Sequence, residues 1–319
     1  MEKTRRYKRL MDIAQLIRLT VHKPIIEFNA RVGPVLVFGS ARGGTTWMAD
    51  VISKMTRARQ IFEPFLLHRA GYFLFTAHRD PTEANCDLNY ELYIRPESPS
   101  CRYKDQIADI LFKPHRNSWC DKMCRHGIYR KRLIKDIRAN LFMAYIAHNW
   151  PSLKILWVVR NPVDVVESQV AMRKVGYPFD WNIGHIKSQP ELLHDWLSPF
   201  LPEMEAAKSL PERLCHKWCI ENFIPFKQGV ASRPNVLLVR YDNLVAGPQQ
   251  WEPIMRFLGC GGYDAGILGR ETAKPSKVSR KVVLGPGSRQ ERKHLCPEDM
   301  DYIERTVRLY GLDGLLSTA

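Results

Sequence analysis

The sequence has no long apolar run. Its uninterrupted hydrophobic stretches, such as Leu141 to Ala147, stop far short of the ~18 residues that a membrane-spanning helix needs, so no part is expected to cross a bilayer. Proline and glycine are not abundant either. With 21 Pro, 19 Gly, 45% apolar and 25% charged residues in 319, the composition excludes low-complexity disorder and collagen and suits a globular chain with a sizeable core. No internal repeat and no Gly/Ser linker appears, which argues against a solenoid or a string of modules. The first 30 residues lack the apolar centre and small-residue cleavage site of a secretory signal. The chain is therefore expected in the cytoplasm, with its eight cysteines as reduced thiols and no disulfide framework.

Acidic residues are scarce: 33 Asp and Glu stand against 48 Lys and Arg, a formal charge of +15. The excess is localised. Residues 1–30 hold 7 basic against 3 acidic groups, residues 101–140 hold 11 against 4, and residues 270–293 hold 8 against 2. Three basic segments on a nearly neutral body fit a protein that binds something anionic, although a solvated basic surface gives the same count.

Short apolar runs alternate with helical patterns. Val35 to Phe38 reads as a strand, and Met48, Val51, Ile52 and Met55 then share one helix face. Ile61-Phe62 leads to a second strand end, and Leu133-Ile134 reads as a short strand. A helix is expected over Leu141 to His148, a buried strand over Leu153 to Val159, and a further strand over Asn235 to Val239. Strands without polar alternation, separated by helices, predict a central, mostly parallel sheet flanked by helices, a single P-loop-like α/β domain. Residues 35–319 are assigned to it, with an insertion at about 66–132, and residues 1–34 to a basic helical extension.

The run Gly39-Ser40-Ala41-Arg42-Gly43-Gly44-Thr45-Thr46 follows a strand and opens an amphipathic helix, the context of a phosphate loop. Glycines allow the tight turn, and backbone N–H groups with the helix N-terminus face an anion. Against the G-x-x-x-x-G-K-S/T pattern, Gly39, Gly44 and Thr46 match but Thr45 stands where lysine would reach a triphosphate. Arg42 supplies a cation within the loop instead. A second strand-to-helix turn follows Val159: Asn161 is an N-cap, Pro162 suits the first helical position, and Asp164 is placed for a capping box. Arg160 is then at a strand's carboxyl end, where open α/β sheets bind ligands, and Ser168 is about two turns along the helix.

At these residues the chain resembles the sulfotransferases that use 3′-phosphoadenosine 5′-phosphosulfate (PAPS), closest in character to those acting on carbohydrates. Ala41 to Trp47 resembles the family's 5′-phosphosulfate loop, and Arg160 with Ser168 its 3′-phosphate motif. Val239 to Leu244, Lys274 to Arg280 and Tyr310-Gly311-Leu312 extend the likeness. The resemblance implies that Gly43, Gly44, Thr45 and Thr46 hold the 5′-phosphosulfate and Arg160 and Ser168 the 3′-phosphate. It implies that Trp47 and Tyr241 contact adenine, and that Ser276, Arg280 and Lys281 add to the 3′-phosphate site.

The implied activity is in-line transfer of a sulfuryl group from PAPS to an acceptor hydroxyl, on a carbohydrate or glycoconjugate, and the basic, aromatic-rich stretch 66–132 either binds an acidic saccharide or is a solvated insertion. Such chemistry needs a base for the hydroxyl proton and cations for developing charge. Arg42 is expected to stabilise the leaving phosphate. Glu63 is the expected base: Glu63-Pro64 resembles a stretch of the carbohydrate enzymes, and partial burial there is expected to raise its pKa. His68 and His115 are the substitutes. No metal is required, and Cys120 and Cys124 with His115 and His126 lack the regular second pair of a zinc site. The alternatives are a P-loop nucleotide kinase or other nucleotide-binding protein, which Thr45 disfavours, and a nucleic-acid-binding module driven by charge.

Overall fold

The computed structural model describes residues 25–28, 33–66, 91–98, 103–113, 116–124, 127–274 and 294–316. Its centre is a five-stranded sheet built from β2 (Val35–Gly39), β3 (Ala58–Phe62), β5 (Lys131–Lys135), β6 (Ile155–Val159) and β7 (Val236–Arg240). The strands lie in the order β3-β5-β2-β6-β7, and every pairing is parallel. β1 (Ile25–Glu27) and β4 (Gly127–Tyr129) form a separate parallel ribbon.

Both sheet faces are covered, which is why the central strands β2 and β6 are apolar throughout, whereas β3 and β5 carry charged residues. Leu36, Phe38, Ile155 and Trp157 enter one core cluster, while Val37, Leu156 and Val158 enter the other. The first cluster is closed by α3 (Met143–Asn149), α4 (Pro162–Lys174), α5 (Leu210–Lys227) and α7 (Pro297–Leu309). The second lies under α1 (Thr45–Thr56) and α6 (Ala265–Thr272). Met48, Val51 and Ile52 are buried on the expected face of α1. Cys215 and Cys219 share a buried face of α5.

The chain leaves β2 toward β3 and leaves β6 toward β7, in opposite directions across the sheet. Their carboxyl ends therefore flank a topological switch point, the usual ligand crevice of open α/β sheets. Gly39 pairs with Val158, so the turns after β2 and β6 begin side by side.

Two expectations need correction. The proposed N-terminal helix does not extend through residue 27, because Ile25–Glu27 is a strand paired with Gly127–Tyr129; residues 1–24 lie outside the described set. Two successive β-branched residues, Ile25 and Ile26, favour this extended conformation. Asn161 does cap α4, accepting the Val163 N–H at 2.9 Å, but there is no capping box. The Asn161 N–H donates to Asp242 Oδ2 at 3.1 Å, and Asp164 lies 3.9 Å from Arg160. Within the expected insertion, residues 91–98, 103–113 and 116–124 are described before the β4 ribbon and include α2 (Lys104–Phe112).

Residues 117–124 run along the outer edge of β3. The Phe62 N–H donates to the Cys120 carbonyl at 2.9 Å, and Cys124 Sγ donates to the Gln60 carbonyl at 3.0 Å. Arg59, fully buried in β3, is held by Asp121 at 2.7 Å and by Glu27 at 3.0 Å. A buried cation that loses a partner keeps its desolvation cost without the compensating charge. Asp121→Ala is therefore expected to lower stability by roughly 3 kcal/mol, read from urea unfolding. A change below roughly 1 kcal/mol would show that the edge does not depend on this pair.

Candidate functional site

The loop between β2 and α1 turns tightly at Gly44, whose φ of 89° is left-handed. A side chain there would also collide with Tyr241, since an added Cβ would sit 2.1 Å from its ring. Arg42 holds a left-handed φ of 69° and Glu63 one of 42°, so two non-glycine residues carry backbone strain at the carboxyl edge of the sheet. Side chains from elsewhere hold the loop in this shape. Gln169 of α4 donates to the Ala41 carbonyl at 2.8 Å, Asn222 of α5 to Ser40 Oγ at 3.3 Å, and Arg160 to the Arg42 carbonyl at 3.3 Å. The first-turn N–H groups of α1 lack intrahelical acceptors and face the mouth of the loop.

The two turns meet. Arg42 Nε donates to Ser168 Oγ at 3.0 Å, so the loop's cation is turned toward α4. Arg160 comes from the end of β6 and lies over the Tyr241 ring at 4.7 Å. Burial, and then the nearby Arg160 charge, push the Arg42 pKa down. The nearest carboxylate to Arg160 is Asp164 at 3.9 Å, and Arg160 Nε is buried without a hydrogen-bond partner among the described residues. Two guanidiniums and a hydroxyl converge, with Asp164 and Asp242 as counter-charges beside Arg160, an arrangement that leaves donors for an anion.

Trp47 is buried rather than open. Its ring meets Tyr241 and Trp251 edge-to-face at centroid distances of 5.4 and 5.3 Å, and its Nε1 donates to the Lys274 carbonyl at 3.1 Å. Ser276, Arg280 and Lys281 lie outside the described residues, as do His68, His115 and His126. The described chain resumes at His294, whose N–H donates to buried Glu167 beside Ser168 at 3.1 Å. Among the described residues no group of His, Cys, Asp and Glu could hold a metal ion.

Glu63 lies beyond β3, as expected, and its carboxylate is buried. Lys135 Nζ donates to Oε1 at 2.6 Å and Arg138 Nη1 to Oε2 at 3.0 Å. The expected upward pKa shift is overturned. Burial alone would raise it, but Lys135 and then Arg138 outweigh burial and hold the carboxyl at about 2. Lys122 adds a third cation, its Nζ 3.4 Å from the centre of the Phe62 ring and 3.6 Å from that of Trp119.

Lys135, Arg138, Gln169 and Asn222 were not singled out from sequence. Lys135 ends β5 and Arg138 follows in its turn, so both stand at a strand's carboxyl end as Arg160 does, which was a usable signal. Gln169 and Asn222 carry no local signature.

The sequence profile of the sulfotransferase family matches residues 34–264, from the strand before the phosphate loop through Glu63, Arg160 and Tyr241. The chain belongs to the sulfotransferase family. No curated protein matches this sulfotransferase by sequence. Among solved structures, mouse sulfotransferase SULT7A1 complexed with PAP is similar at 13% identity and a TM-score of 0.46, over 92% of this chain and 87% of that one. The sulfotransferase domain of the Synechococcus PCC 7002 olefin synthase is similar at 14% identity and a TM-score of 0.43, over 91% and 97%. A sulfotransferase from Alicyclobacillus acidocaldarius follows at 13% identity and 0.36, over 88% and 92%.

Glu63 makes stability depend on pH. Its folded pKa of about 2 lies below the ordinary carboxylate value, so its contribution is present above about pH 4.5 and is lost as pH falls toward 2. The stability gap between the wild type and Glu63→Gln should be roughly 3 kcal/mol near neutrality and close progressively below about pH 4.5. A gap independent of pH in urea titrations would refute the double ion pair.

Proposed function

We propose that this sulfotransferase transfers a sulfuryl group from PAPS to a hydroxyl of a carbohydrate or glycoconjugate. The observation that carries the reading is the convergence of Arg42, Arg160 and Ser168 from two adjacent turns, with a buried Nε on Arg160 that has no hydrogen-bond partner among the described residues. These residues suit a phosphate of the nucleotide, and the loop from Gly43 to Thr46 with the N-terminus of α1 suits the phosphosulfate. Tyr241, buried with its ring against Gly44 and under Arg160, and Trp47 beside it support the nucleotide site from beneath. Arg42 is turned to Ser168 and does not replace the lysine that a triphosphate site would need at Thr45, which speaks against a kinase.

The donor supplies an activated sulfur–oxygen bond, cleaved at the phosphate oxygen as the acceptor oxygen bonds to sulfur. The protein's tasks are to orient that line, remove the acceptor proton and take up developing charge. Glu63 is the assigned base, and Lys135 and Arg138 are its regulators. A carboxylate held at about 2 is a weak base near neutrality. Lys135 and Arg138 can turn their hydrogen bonds to oxygens of the reacting group, which loosens their hold on Glu63 and raises its basicity when it is needed. Lys122 and Trp119 beside it suit a polar, anionic saccharide.

Turnover of radiolabelled PAPS against a panel of glycans, lipids and phenols tests the class of acceptor. Arg160→Ala is expected to weaken binding of adenosine 3′,5′-bisphosphate at least about 100-fold, since it removes a charge-assisted contact. Glu63→Gln should lower turnover by about 100-fold or more while changing bisphosphate affinity less than about threefold. Retained turnover in the glutamine variant would remove Glu63 from the mechanism, and unaltered bisphosphate binding in the alanine variant would remove the nucleotide reading.

A further inference from the structure

The β1–β4 ribbon presents an apolar face to solvent. Ile26, Phe28 and Ile128 are 54%, 54% and 61% exposed, the first two separated by the strand period and Ile26 paired directly with Ile128. Alternation places all three on one side of the ribbon. The inward side is anchored: Glu27 binds Arg59, and Arg116 donates to the Ile25 carbonyl at 2.7 Å. The outward face is thus held in place by a buried ion-pair network.

Its surroundings are basic. Arg130 and Lys131 stand two and three residues beyond Ile128 and are exposed, and Lys113, paired with Asp109, is exposed at the end of α2. We infer that the face formed by Ile26, Phe28 and Ile128, with Arg130 and Lys131 beside it, docks the enzyme peripherally on an anionic phospholipid bilayer. Apolar side chains enter the headgroup boundary while cations meet lipid phosphates and serines, and neither contribution alone gives stable attachment. A second copy of the chain is a poorer occupant, because a self-contact would oppose the same cations. A polyanionic glycan or nucleic acid would use the charge but not three exposed apolar side chains.

The position keeps docking separate from chemistry. β4 enters β5 at its amino end, and the candidate site lies beyond its carboxyl end at Lys135, about 15 Å along the strand. An acceptor cleft on that edge stays open to water when the ribbon is on the membrane.

Co-sedimentation of the full chain with vesicles tests this. Binding to vesicles of phosphatidylcholine with about 30% phosphatidylserine should exceed binding to pure phosphatidylcholine at least about tenfold and weaken as salt rises. The combined Ile26→Ser, Phe28→Ser and Ile128→Ser variant should lose at least about tenfold in vesicle binding and keep its bisphosphate affinity. Hydrogen exchange of the wild type should show protection of residues 25–28 and 127–131 on adding anionic vesicles, a readout that does not depend on the variant folding. The inference is overturned by wild-type indifference to both vesicles, by equal binding of the variant, or by absent protection. It is also overturned if the variant's main defect is loss of a dimer or of heparin binding.

Discussion

Two positive side chains from different turns are held close together at the switch point of the sheet, and the site is organised around that contact. Arg42 and Arg160 repel each other and Arg42 is partly buried, so the arrangement survives because the backbone leaves it little choice. Gly39 pairs with Val158, Gln169 grips the Ala41 carbonyl, Asn222 reaches Ser40, and Gly44 lies against the Tyr241 ring. Strain in a rigid frame is a form of preorganisation: the cations are in place before their ligand arrives. The same logic explains Arg42 in a left-handed conformation, where glycine would be easier.

The carboxyl edge divides into two halves along the strand order. Turns after β2, β6 and β7 bring Arg42, Arg160 and Tyr241 together, while turns after β3 and β5 bring Glu63, Lys135 and Arg138 together. Only β5 separates β3 from β2, so the two groups are about 10 Å apart in the sheet direction, a span suited to the two partners of one transfer. The electrostatics of the halves differ. One collects two guanidiniums with Asp164 and Asp242 beside Arg160, and the other locks a carboxylate between two cations.

Buried charge also organises the outer edge. Arg59 with Glu27 and Asp121 fastens the β1–β4 ribbon and the 117–124 segment to β3, and a buried pair of this kind serves position more than net stability. The basic excess is thereby shared between two places with different geometry: inside the carboxyl edge, where cations converge, and at the far end of the sheet, where they border an apolar surface.

Much of this was legible in the chain. The apolar runs of β2 and β6, the amphipathic face of α1, the Asn161-Pro162 start of α4 and the Gly-rich loop are local patterns, set by neighbours within a few residues. They determined the parallel α/β fold and placed Arg42, Glu63 and Arg160 at strand ends. What the chain could not show was which way these side chains turn and what faces them. Arg42 meets Ser168 across 126 positions, and Glu63 meets Lys135 across 72. The pKa of Glu63 depended on that second encounter: burial was foreseeable from the apolar flank, but the two cations that reverse its effect come from another strand. Direction and partnership are decided only when strands distant in sequence lie side by side, because charge interactions depend on distance in space and secondary structure on distance along the chain.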